Sequence, residues 1–142
     1  VVQRVTGAEL KVNGELISEI GPGVVVFFGV TQGDAEEKAD YIAKKIANLR
    51  IFEDENGKMN RSVQDENGEV LFVSQFTLYG DASHGNRPSF TAAARGEVAE
   101  PLYDYAASAL SNLGVPVKKG VFGADMKILQ HNDGPVTILL EI

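Results

Sequence analysis

The sequence predicts an α+β fold, largely antiparallel β-sheet packed with two main helices, and three observations predict it. Strand-like and helix-like stretches are mixed without regular βαβ alternation. Asn13-Gly14, flanked by Val12 and Leu16, is a strong short hairpin signal. Two stretches, one after Asp34 and one after Glu100, carry apolar residues at helical spacing.

Val1–Val5 and Glu9–Val12 read as short strands around Gly7, and Leu16–Ile20 as the return strand. Gly21-Pro22-Gly23 is a turn. Val24-Val25-Val26-Phe27-Phe28 is apolar without alternation, the pattern of a strand covered on both faces. Asp34, with Glu37 three residues later, suits a capping box. Ala39, Ile42, Ala43, Ile46 and Leu49 then predict a helix over Ala35–Leu49. Glu53–Lys58 is a solvated polar loop with an Asn-Gly turn. Val70–Thr77 reads as a strand and Asp81–Arg87 as a mobile loop.

Glu100-Pro101 opens the second helix, since proline is tolerated in a first turn. Leu102, Tyr105, Ala106, Ala109, Leu110 and Leu113 form its apolar stripe, and Gly114 with Pro116 ends it. Val117–Val121 and Met126–His131 are strands, and Pro135–Ile142 is the last. Proline cannot donate to a ladder, so Asp133-Gly134-Pro135 reads as a tight break between two strands. No repeat, low-complexity tract or linker appears, and the 142 residues suit one domain, 1–142.

Composition narrows the chemistry. There are no cysteines, which excludes disulfides and thiolate metal sites. No run approaches the length of a membrane span. The chain opens on Val1 without the layout of a secretion signal, and one or two residues are expected before it. The formal net charge of -7 argues against a broad nucleic-acid-binding surface, which needs clustered Lys and Arg. His84 and His131 are the only histidines, and neither a zinc motif nor a phosphate-binding glycine loop is present, so no metal and no cofactor are expected. Ser74, Thr77, Ser83 and Ser89 are the hydroxyls left for nucleophilic chemistry, without a Gly-x-Ser-x-Gly elbow.

Two stretches carry more than local structure: Ser74-Gln75-Phe76-Thr77-Leu78 and Asn132-Asp133-Gly134-Pro135-Val136-Thr137. Together they resemble the two signature motifs of the D-aminoacyl-tRNA deacylases, enzymes that hydrolyse the ester joining a D-amino acid to tRNA. The resemblance extends in order through Val2-Gln3-Arg4-Val5, Asn48–Phe52, Gly57–Asn60, Arg87–Phe90 and Gly120–Met126, covering essentially the whole chain.

The resemblance implies a cytoplasmic homodimer acting on the aminoacylated 3′ end of tRNA. Gly134 and Pro135 of one subunit would enter the site of the other as a main-chain filter that leaves no room for an L side chain and lets glycine pass. Arg4 would hold this motif, and Asn132, Val136 and Thr137 would flank it. A cis Gly134-Pro135 peptide favours this filter; a trans one would admit small L residues. Ser74, Gln75, Phe76 and Thr77 would form the catalytic wall, with amides around Gln75-Phe76 as oxyanion donors. Thr77 is either a nucleophile or a bystander to a water assisted by the 2′-hydroxyl of the terminal ribose, and the second is favoured here. Phe122, Ala124 and Met126 would help form the adenosine pocket. Arg87, Arg95, Lys118 and Lys119 are candidates for a basic rim, and the loop at 81–86 carries less positive charge than the resemblance leads one to expect. Two other functions stay open: an editing module for small L-amino acids, and an inert RNA- or protein-binding dimer.

Overall fold

A computed structural model describes residues 1–142. Eight strands and two α-helices follow one another as β1 (Val2–Val12), β2 (Glu15–Ile20), β3 (Gly23–Phe28), α1 (Glu36–Asn48), β4 (Phe52–Glu53), β5 (Met59–Arg61), β6 (Glu69–Ser74), α2 (Gly96–Asn112), β7 (Val117–Lys119) and β8 (Lys127–Ile138). A short 3-10 turn, Phe76–Tyr79, follows β6. The α+β expectation holds, with both helices packed on the same core as β3 and β6.

β1 is one long strand where two short ones were expected. It pairs antiparallel with β2, β3 and β8, while β3–β6 and β6–β7 are parallel. Sequence pattern alone did not reveal the parallel half. It follows from the crossover: β3 feeds α1, which packs back on the sheet before β6 begins. The Asn13-Gly14 hairpin forms as expected, with both residues at positive φ.

The unbroken apolar run of β3 has the predicted cause. Val24, Val26 and Phe28 face the helices, and Val25 faces a second cluster with Val5, Leu10, Ile20, Leu71 and Val73. β6 divides in the same way, Val70 and Phe72 to the helices, Leu71 and Val73 to the other face. Strands covered on both faces have nowhere to place a polar side chain.

Several local expectations need correction. Asp34 does not cap α1: its carboxylate accepts from the Thr31 amide (2.9 Å) and pairs with Lys38 (3.2 Å), and Ala35 is the N-cap. α2 starts at Gly96, so Pro101 lies inside it, on an exposed face. Its buried stripe is Ala99, Leu102, Tyr103, Ala106, Ala107 and Leu110, rotated from the stripe read in sequence. Tyr105 instead reaches α1 and donates to Asp40 (3.1 Å). The loop after Tyr79 closes on itself through paired backbone bonds between Asp81 and Ser89 (2.7 and 2.8 Å).

Tyr103 ties helix to sheet. Its ring stacks on Phe72 with centroids 5.2 Å apart and an interplanar angle of 5°. Its hydroxyl donates to the Phe72 carbonyl at 2.6 Å. Burial pushes its pKa up to about 12. The folded chain therefore holds this proton where the unfolded chain has lost it, so the contribution is whole below pH 10 and declines as pH rises toward 12. Tyr103→Phe removes that alkaline decline, as urea titrations at pH 9 and pH 11 will show. It costs about 1 kcal/mol at neutral pH, the net worth of an ordinary hydrogen bond, because the Gly120 amide still serves the Phe72 carbonyl.

Candidate functional site

β3, β6 and β7 run parallel and end at the same side of the sheet. The backbone beyond their carboxyl ends is the usual place for a ligand in parallel sheets. A cavity of about 460 Å³ lies there. Phe28 and Val30 come from the end of β3, Ser74, Gln75, Phe76 and Thr77 from the end of β6, and Phe122, Ala124 and Met126 from the segment after β7. The fold thus brings two of the three predicted residue groups around one space. Sequence reading missed Val30, Ala94, Gly96 and Ala99, which complete the wall, because small apolar residues at strand and helix ends carry no chemical signature.

Only Ser74 of the catalytic group belongs to a strand. Phe76 and Thr77 lie in the 3-10 turn, a correction to the strand expected through Thr77. The Gln75 amide donates to the Phe28 carbonyl at 2.8 Å, so it is engaged and is not an oxyanion donor. The amides of Phe76 and Thr77 stand at the open N-terminal end of the turn, where the first N–H groups have no intrahelical acceptor. The Gln75 side-chain amide donates to the Thr77 hydroxyl at 2.9 Å. No histidine or carboxylate bonds to that hydroxyl, and His84 lies in the exposed loop.

Gly29 sits beneath the turn. A methyl group there would meet the Tyr79 ring at 3.2 Å and both the Gln75 carbonyl and Leu78 at 3.3 Å. A side chain at residue 29 would press the turn away from β3 by a few tenths of an ångström.

The third predicted group lies away from the cavity. β8 has a single partner, β1, so it is an edge strand, where proline is tolerated. It runs through Pro135 instead of breaking before it, a correction to the two strands expected. The ladder accommodates the proline by bulging. Val5 pairs with Asn132 and Gln3 with Thr137, so the four residues Asp133–Val136 face Arg4 alone. The Gly134-Pro135 peptide is cis. Gly134 has φ +125°, and a Cβ there would lie 2.9 Å from the Val136 amide nitrogen, so no L residue fits without strain. Residues 131–135 are all exposed, and Val136 is half-buried against the helix-side core.

Arg4 is 6% exposed. Its guanidinium donates to the Ile51 carbonyl at 2.7 Å and to the Asp133 carbonyl at 3.1 Å, and lies 3.4 Å from the Asp133 carboxylate. Bonds of this charged kind contribute about 1.5–3 kcal/mol each. Ile51 was not readable as a partner, since it acts through its main chain. Of the residues expected in a basic rim, Lys118 pairs with Glu69 (3.5 Å) and Lys119 with Asp104.

The family model for D-Tyr-tRNA(Tyr) deacylase matches residues 1–141. Relatives described as D-aminoacyl-tRNA deacylase include that of Symbiobacterium thermophilum, 55% identical over 141 residues, 99% of this chain and 93% of the relative. That of Syntrophomonas wolfei is 54% identical, covering 99% of this chain and 95% of the relative. A solved structure described as c-Myc DNA Unwinding Element Binding Protein superposes with a TM-score of 0.93 at 45% identity, covering 99% and 96% of the two chains. Another, described as a probable eukaryotic D-amino acid tRNA deacylase, shares the fold with a TM-score of 0.82 at 19% identity, covering 94% and 93%. With its motifs set around one cavity and one bulge, and relatives matched from end to end, the chain belongs to the D-Tyr-tRNA(Tyr) deacylase family.

Proposed function

We propose that this chain hydrolyses the ester linking a D-amino acid, or glycine, to the 3′ end of tRNA, as a proofreading step of translation in the cytoplasm. The observation that carries the reading is the meeting of Ser74–Thr77 with Phe122, Ala124 and Met126 around one cavity of about 460 Å³, within the usual size of a small-ligand site.

A water molecule attacks the ester carbon. The carbonyl oxygen gains the negative charge and is held by the amides of Phe76 and Thr77, the donors still open at that wall. Collapse returns the electron pair, breaks the bond to the ribose 3′-oxygen and leaves that oxygen with a proton. The adjacent 2′-hydroxyl of the substrate assists the proton movements. Thr77 is not the nucleophile: a hydroxyl needs a base to activate it, and its neighbour is a Gln75 amide that donates to it.

The filter is completed by a second copy of the chain. Gly134 and Pro135 line no part of the cavity of their own subunit, yet they stand exposed on an edge strand. In a homodimer they reach the partner's cavity and present main chain to the substrate's alpha carbon. A wall of backbone reads handedness without reading side-chain identity, and it works by excluding the wrong enantiomer. The net charge of -7, with Lys118 and Lys119 already paired, supports a site for an RNA end and not a surface for duplex nucleic acid.

The direct test compares hydrolysis of D-Tyr-tRNA and L-Tyr-tRNA by the purified protein. Loss of the D ester alone is expected, and equal stability of both esters overturns the reading. Thr77→Ala retains activity to within about tenfold, whereas loss of an activated nucleophile would cost at least roughly 10²-fold; single-turnover rates separate the two. Gly29→Ala lifts the turn that carries Phe76 and Thr77 and lowers kcat/KM by roughly tenfold or more, with only a small change in the urea midpoint.

A further inference from the structure

The bulge at Asp133–Val136 is held from both faces of β1. Arg4 grips it from the buried face, through the Asp133 carbonyl. Neighbouring residues of a strand point to opposite faces, so Gln3 serves the other one, and there a chain of side-chain amides crosses the bulge. The Gln130 amide nitrogen donates to Asn132 Oδ1 (2.6 Å) and to Gln3 Oε1 (2.8 Å). The Gln3 amide nitrogen then donates to the Thr137 hydroxyl (3.3 Å). Asn132 and Thr137 are the last paired residues on either side of the bulge. The chain therefore ties its two feet together.

A bulge of four residues opposite one has no ladder bonds of its own to fix its width. Arg4 fixes one foot only, Asp133. The opposite foot, from Pro135 to Thr137, has no contact with Arg4 among the hydrogen bonds of the chain. The distance between the feet is set on the outer face, by Gln3 and Gln130. Both glutamines are half-buried, and both line up as donor and acceptor without competition from a charged group.

We propose that Gln3 and Gln130 are positioning residues that set the span of the Gly134-Pro135 bulge and thereby the stringency with which it rejects L-amino acids. The proposal rests on the reading of this bulge as the chiral filter. Neither glutamine touches the substrate. Each acts through Asn132 and Thr137 on the main chain between them. When the strap is broken the feet can part, and small L residues are the first to gain entry.

The experiment measures single-turnover hydrolysis of D-Tyr-tRNA and L-Ala-tRNA by the full chain and by Gln3→Leu, Gln130→Ala and the double variant. The D-to-L rate ratio is expected to fall by roughly tenfold in each single variant, the scale of a small displacement in a positioned site. The double variant is expected to fall no further, because both changes cut one chain of bonds. Gln3→Glu keeps the acceptor for Gln130 and takes a bond from the Thr137 hydroxyl, so it restores the ratio. Thermal midpoints stay close to the parent, since neither side chain is buried in a core. A ratio within twofold of the parent in both single variants overturns the proposal, and so does an additive loss in the double variant. A parent protein that does not discriminate between the two esters overturns the filter reading itself, and is seen before any substitution is made.

Discussion

Arg4 carries a full positive charge into a place where less than a tenth of its surface meets solvent. A buried charge is tolerable only when its donors are answered. Here the partners are the Ile51 carbonyl, at the exit of α1, and the carbonyl and carboxylate of Asp133, at the foot of the bulge. One guanidinium thus links three parts of the chain that are far apart in sequence. β1 supplies it, the connection out of α1 receives it, and β8 is bent toward it. The bulge is possible because β8 has β1 as its only partner. A strand paired on both sides would have to give up a second ladder to bend in the same way.

The remaining architecture shapes the cavity. β3 and β6 are covered on both faces, which makes their carboxyl ends fixed points. The 3-10 turn is pressed onto the end of β3 through Gly29, and the Gln75 amide is bonded to the Phe28 carbonyl. The amides of Phe76 and Thr77 are held on a rigid platform even though they lie outside the strand. Tyr103 extends that rigidity: its ring lies against Phe72 in the core and 6.1 Å from Phe122 at the cavity wall.

Much of this was readable from the residues alone, for identifiable reasons. Apolar period and turn chemistry are local properties, and they located β2, β3, α1 and the Asn13-Gly14 hairpin. The first motif stretch marked residues that line the cavity, whereas the second reads in sequence as a break between strands and is a bulge within one strand. What escaped detection was set mostly by partners distant in sequence, and in one case by a competing local turn. The buried face of α2 turned on Tyr103 finding Phe72, not on the helical stripe itself. The parallel pairing of β3 with β6 depends on the path of the crossover. Asp34 had two uses, and the Thr31 turn prevailed over the helix cap. Gln75 was assigned to the oxyanion by its place in the motif, but its amide had a nearer acceptor in Phe28. Ile51 contributes only a carbonyl, which every residue has, so no side-chain reading could have found it.

Point mutation replaces side chains and leaves the peptide unit in place. A bulge that presents main chain is therefore a small genetic target. Exchanging Val136 alters what hangs from the bulge, but its carbonyl groups persist as long as the backbone keeps its path. Gly134 is the exception, because its φ of +125° and the closeness of Val136 leave no L residue an unstrained place there. The other route to damage is indirect, through the few side chains that fix the path. Drift across most of this acidic surface is then free to alter charge and solubility without reaching the bulge, and a lineage can change its outer face extensively while the inner geometry stands still.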